Sequence, residues 1–219
     1  FRDELFLNYG VQSLKLLLET HFPESTEDQV NVKENNHYNI NENRNSRLIN
    51  EVVNKNTLNW AINSFKPFKS PGIDGIYPIF LKEGYEYIEL AMMEIFKASI
   101  HTGFIPYVWR NVKVAFIPKP GKTSYAEAKS FRPISLMSFI LKTLEKLVDR
   151  YIRDKCLTIY PLHKYQYAYQ PGKSTEAALH HLVSKIEKTI EQKEVAIAVF
   201  IDIEGAFDNT SHEVIVKAS

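Results

Sequence analysis

A single cysteine, Cys156, stands in the whole chain, so neither an internal disulfide nor a cysteine-clustered zinc site can form. Long apolar runs are missing too: none approaches the roughly 20 residues that a membrane-spanning helix needs. The opening residues, Phe1-Arg2-Asp3-Glu4, lack the basic and apolar regions of a signal peptide. There is no initiating Met, and Ser219 cuts short a segment begun at 211–217, so the chain is read as a fragment of a longer protein. A net excess of either charge is absent, with 27 Lys and Arg against 26 Asp and Glu. The hydrophobic share of 44% is that of an ordinary globular domain with a core to bury. One lone thiol is compatible with a reducing, intracellular setting.

What is present is organised around Val199-Phe200-Ile201-Asp202-Ile203-Glu204-Gly205-Ala206-Phe207-Asp208-Asn209. Residues 198–201 are apolar and rich in β-branched and aromatic types, which predicts a strand buried on both faces and ending on Asp202. Gly205 marks a turn behind it. An acid where a rigid strand meets a loop is a good mount for catalysis, and its hard oxygens suit Mg²⁺. A solvated Asp that merely terminates a strand is the competing reading.

Upstream, residues 11–20 predict a short amphipathic helix on Leu14, Leu17 and Leu18. Residues 22–56 are rich in Asn, Glu and Ser and are read as a connector, disordered or loosely packed. Thr57 is expected to cap a helix carrying Leu58, Ala61, Ile62 and Phe65. Residues 69–76 form a turn-rich loop that suits a surface turn or a backbone cradle for a ligand. Residues 84–101 predict a helix with Ile88, Met92, Ile95 and Phe96 inward, ended by Gly103. Val112, Val114 and Phe116 predict a strand that turns at residues 118–122 and pairs with residues 130–136, bringing Lys119, Lys122 and Arg132 near one another. Ser138 is expected to open a helix to about Cys156, with Ile140, Leu144, Leu147, Val148, Tyr151 and Ile152 buried. Ser174 is expected to cap another, carrying Leu179, Leu182, Val183, Ile186 and Ile190.

The even overall charge hides a cationic middle. From Arg110 to Lys173 basic residues far outnumber Glu127, Glu145, Asp149 and Asp154, and tyrosines such as Tyr125, Tyr151, Tyr165 and Tyr167 are interleaved. That mixture suits phosphate neutralisation with base or sugar contacts, against the alternative of a solvated lysine face over core tyrosines. Gly172-Lys173-Ser174 has the ending of a phosphate-binding P-loop, but Tyr167 stands where that motif needs Gly and no strand precedes it. His180 and His181 are adjacent on a helix and so face different ways, which argues against a shared metal.

Five stretches, residues 70–76, 117–122, 131–136, 166–175 and 200–208, occur in one order. Together they resemble the reverse transcriptase of non-LTR retrotransposons, the jockey-like elements in particular, over residues 57–219. The resemblance implies an α+β right-hand polymerase of which the chain holds the fingers, about residues 57–195, and the first strand of the palm, about 196–219, behind a partly disordered connector at 1–56. It also implies RNA-templated transfer of deoxynucleotides to a primer 3′-hydroxyl by two Mg²⁺ or Mn²⁺ ions. The expected partners are an RNA template, a DNA primer and deoxynucleoside triphosphates, with no membrane and no disulfide partner, and the family points to the nucleus. By resemblance Asp202 is the first catalytic carboxylate, a ligand to both ions, with the Ile203 backbone carbonyl beside it. Lys119 and Arg132 resemble the residues that hold the incoming triphosphate, and Phe207 the aromatic gate that excludes a 2′-hydroxyl. Lys69, Lys122, Lys173 and Ser174 are candidate nucleic-acid contacts, and Asp208 is read as structural.

The family's other carboxylates come from a later Tyr-x-Asp-Asp hairpin, and no such string occurs here. The chain alone is therefore expected to be inactive. A haloacid-dehalogenase-type phosphatase also sets Asp after an apolar strand, but it needs a second Asp where Glu204 stands. A non-catalytic nucleic-acid-binding remnant of a decayed retroelement shares every feature and stays open.

Overall fold

The computed structural model describes residues 2–22, 42–203 and 214. They divide into two compact units, Phe1–Ile152 and Arg153–Ser219. In the first lie helices α1 (Arg2–His21), α2 (Glu42–Val52), α3 (Lys55–Asn63), α4 (Pro78–Glu83), α5 (Tyr85–Thr102) and α6 (Tyr107–Arg110). Strands β1 (Lys113–Pro118) and β2 (Phe131–Leu136) and helix α7 (Phe139–Tyr151) complete it. The second unit holds α8 (Leu157–Ile159) and α9 (Thr175–Glu191). No described helix is long and apolar enough to cross a membrane.

The core of the first unit is built where α2, α3, α5 and α7 meet, on Val53, Leu58, Ile62, Phe96 and Leu147, each at most 1% exposed. Burying side chains of this size contributes about 1.5–3 kcal/mol apiece. Ile49, Val52 and Val53 enter that core from α2 and the residue after it. Their i, i+3, i+4 spacing makes an apolar stripe within a stretch whose Asn-rich composition reads as connector. The helix that follows is capped by Asn54, three residues before the expected Thr57. Asn54 Oδ1 accepts from the Thr57 amide at 3.0 Å and Thr57 Oγ1 accepts from the Asn54 amide at 3.1 Å. Thr57 is thus the reciprocal partner of a capping box, an arrangement worth about 1 kcal/mol.

Helix α5 runs as expected and ends on Gly103 in the left-handed conformation. Its buried face includes Met92 and Phe96, but Glu89 takes the place foreseen for Ile95, which is exposed. Lys55 Nζ lies 3.1 Å from Glu89 Oε2 and supplies the countercharge a buried carboxylate requires. Ser138 caps α7 by accepting from the Ile140 amide at 3.1 Å. That helix stops at Tyr151, where a π-helical turn over Ile152–Cys156 replaces the continuous helix expected to Cys156. Val148 and Ile152 of the expected buried stripe are exposed.

The hairpin forms where alternation predicts it, antiparallel, with Lys113 opposite Leu136 and Ile117 opposite Arg132. In the second unit Ser174 caps α9, its hydroxyl accepting from the Ala177 amide at 3.1 Å. The apolar run after α9 departs from expectation. Residues 194–203 form no strand, and Val199, Phe200 and Ile201 are 76%, 82% and 86% exposed. A strand exists only through the ladder it shares with a neighbour, and β1 and β2 are the only paired strands among the described residues. Residues 195–200 instead run beside Leu182, Ile186 and Thr189 of α9.

Candidate functional site

The 69–76 loop owes its shape to three backbone devices. The Gly75 amide donates to the Gly72 carbonyl at 3.2 Å, Asp74 Oδ1 accepts from the Ile76 amide at 3.2 Å, and Gly75 sits at φ +67°. Gly72 packs onto the junction between β2 and α7 so closely that a Cβ would stand 2.7 Å from the Ser138 nitrogen. The loop is thereby fixed against the start of α7. Lys69 opens it as an exposed side chain.

Lys119 and Arg132 share one face of the hairpin. The Lys119 amide donates to the Ser130 carbonyl at 2.8 Å, which extends the ladder by a step beyond Pro118 and Phe131. Lys119 then lies two residues along from Ile117, the residue opposite Arg132, so the strand period of two aims both cations to the same side. Lys119 Nζ donates to the Lys129 carbonyl at 2.7 Å, and Tyr125 donates its hydroxyl to the Lys119 carbonyl at 2.9 Å, fixing backbone and side chain. Lys122 is exposed at the tip, next to Gly121 at φ +77°.

Lys173 is tied into its own loop. Its ammonium donates to the carbonyls of Lys164 at 2.8 Å and Gln166 at 2.9 Å and lies 5.3 Å from the Tyr167 ring. Two of its three donors hold the loop together. Ser174 likewise serves the cap of α9. What the sequence does not announce is the ring cluster around Tyr165, whose ring lies 5.4 Å from that of His163 and 5.1 Å from that of His181. No linear spacing signals that cluster, because His181 comes from α9.

Asp202 belongs to the second unit and the hairpin cations to the first. It is exposed, and its Oδ1 accepts from the Ile203 amide at 3.0 Å. A hard carboxylate followed by a backbone carbonyl fits Mg²⁺ in kind, since that ion usually takes one or two protein carboxylates and keeps several waters. Among the described residues no group of three or more His, Cys, Asp or Glu could hold a metal ion. Phe207, Glu204 and Asp208 lie outside the described residues.

Residues 117–218 match the family model described as reverse transcriptase (RNA-dependent DNA polymerase). The chain is 33% identical over 157 residues to "Probable RNA-directed DNA polymerase from transposon BS" of Drosophila melanogaster, covering 72% of this chain and 17% of that protein. With "Probable RNA-directed DNA polymerase from transposon X-element" of the same organism it is 34% identical over 146 residues, 66% of this chain and 16% of the relative. "RNA-directed DNA polymerase from mobile element jockey", also from Drosophila melanogaster, is 32% identical over 119 residues, 54% of this chain and 13% of the relative. The chain thus spans about a sixth of the length of the curated relatives it matches.

Proposed function

We propose, from the match of residues 117–218 to the reverse transcriptase family model, that this chain supplies the fingers and the first palm carboxylate of an RNA-templated DNA polymerase of a non-LTR retrotransposon. The observation that carries the reading is the placement of Lys119 and Arg132 on one face of a rigid hairpin. Two cations presented together on a strand pair suit the phosphates of an incoming deoxynucleoside triphosphate, the Arg through its planar fork and the Lys as a point charge.

In this reading Asp202 and the Ile203 carbonyl would hold Mg²⁺ or Mn²⁺. Held there, the metal would supply Lewis-acid activation of the primer hydroxyl and charge stabilisation of the leaving pyrophosphate. The chain's own residues then divide the remaining tasks. Lys119 and Arg132 neutralise and orient the triphosphate, and Phe207 floors the sugar and clashes with a 2′-hydroxyl. Phe207→Ala in the complete polymerase is expected to raise ribonucleotide incorporation relative to deoxynucleotide incorporation in single-turnover kinetics. Equal impairment of both substrates would show the ring to be packing.

The test of the reading as a whole is fluorescence anisotropy of the chain with a labelled RNA–DNA primer–template. Affinity is expected to fall at least tenfold between about 50 and 200 mM salt and to show little sequence preference, because counterion release from phosphates dominates. Absent binding at low salt, or binding indifferent to salt, counts against it. A second reading, a non-catalytic binding remnant of a decayed retroelement, shares the hairpin cations and every sequence feature of the first. It predicts the same binding and no polymerisation in any longer form.

A further inference from the structure

Helix α7 sorts its charges. Lys142, Lys146 and Arg150 recur every four residues and make one row about 12 Å long, with neighbours about 6 Å apart along the axis. Glu145 and Asp149 stand on the other side of that row, toward a 630 Å³ groove lined by Ile100, Ile105 and Val148. Partial burial there holds the Glu145 carboxyl above its ordinary range, against the opposing pull of Lys142. Under the cationic row lies a row of rings. Lys142 Nζ is 4.5 Å from the Phe139 ring, Lys146 Nζ is 5.0 Å from Phe65, and Arg150 Cζ is 4.4 Å from Trp60.

Long basic side chains can serve simply as a lid for aromatic edges. That role needs no charge, and like charges at i, i+4 destabilise a helix by a few tenths of a kcal/mol per pair. Three in line, over an indole that stays 42% exposed, make better sense as a surface for a polyanion. A row this short meets only a few phosphates, and an indole stacks only on a base that is not already stacked in a duplex.

We propose that this face of α3 and α7 binds single-stranded polynucleotide, with phosphates along Lys142, Lys146 and Arg150 and an unpaired base on the uncovered part of Trp60. The surface is separate from the Lys119–Arg132 hairpin face and shares with the proposed function only the class of ligand.

Trp60 and Trp109 are the chain's two tryptophans, and Trp109 packs edge-on against Phe96 at 5.9 Å. In the Trp109→Phe chain the indole emission therefore comes from Trp60 alone. Titration with an oligouridylate of about 12 nucleotides, a length within single-strand site sizes, is expected to quench it. The reciprocal Trp60→Phe chain, with Trp109 intact, is expected to bind without that quenching. Lys142→Gln with Lys146→Gln should lower the salt slope by about 1.4, two contacts at roughly 0.7 each for a single strand. Trp60→Ala should weaken binding by roughly tenfold, the scale of one lost base stack. A blunt duplex of equal length should leave the emission unchanged.

The hairpin pair Lys119→Gln with Arg132→Gln keeps the two claims apart, and the Trp60 quenching should persist in it. Emission that stays constant at saturation, or a salt slope unmoved by the α7 pair, overturns the proposal. Binding that is lost in the hairpin variant while Trp60 stays silent overturns it and leaves the proposed function standing. No binding of any polynucleotide overturns both.

Discussion

Asp202→Asn is expected to reduce primer extension by at least roughly 10²–10³-fold, the scale on which one electrostatic contact to a transition state is felt. The assay uses a polypeptide that contains residues 1–219 together with the remaining length of its relatives. Template binding should be unchanged, because the substitution removes only the proposed metal ligand and leaves the hairpin cations in place. Other acids that directly follow apolar runs, such as Glu19 and Glu94, lie within helices α1 and α5, so neither stands as Asp202 does. For the same reason residues 1–219 alone are expected to give no extension with Mg²⁺ or Mn²⁺. Catalysis by two metals needs several carboxylates in coordination reach, and the Tyr-x-Asp-Asp string that the resemblance calls for does not occur in residues 1–219. Extension by the Asp202→Asn enzyme, or by residues 1–219 alone, sinks the assignment of this residue.

The hairpin was legible because alternating apolar residues bracket a Pro- and Gly-containing turn, and register then fixes which cations share a face. The end of α5 was legible because Gly103 alone can adopt the left-handed cap cheaply. Helix α2 was not, since Asn-rich composition outweighed the short Ile49, Val52, Val53 stripe. The strand expected at 198–201 failed for a deeper reason. Apolar β-branched residues state a preference, but pairing is a long-range property that no single segment contains. The placement of the candidate residues divides in the same way. Lys119 and Arg132 follow from local register, whereas the hydrogen bonds of Lys173 to carbonyls of Lys164 and Gln166 depend on how a loop closes. The stacking of Arg150 on Trp60 joins two helices far apart in sequence, and nothing near either residue announces it.

Gly72→Ala is expected to destabilise the first unit by about 1–3 kcal/mol, the range for overpacking a well-filled site. Gly72 has no positive φ, so what the position demands is space. A Cβ would stand 2.7 Å from the Ser138 nitrogen and 2.8 Å from the Met137 carbonyl carbon. Both are backbone atoms at the junction of β2 and α7, and neither can swing aside as a side chain would. Relief requires moving the loop, the strand end or the helix start, which also disturbs the cap that Ser138 gives α7. Gly75 is the contrasting case: nothing lies within 4 Å of its would-be Cβ, and its constraint is φ +67°. Gly75→Ala should cost about 1–2 kcal/mol through backbone strain alone, and Gly75→Asn should recover much of it, because Asn tolerates the left-handed region. No side chain recovers Gly72, since Ser or Asn brings the same Cβ. Thermal unfolding followed by circular dichroism should therefore rank Gly75→Asn above Gly75→Ala, with Gly72→Ala, Gly72→Ser and Gly72→Asn all low. A Gly72→Ala chain that melts with the wild type would show that the 69–76 loop does not rest on the start of α7.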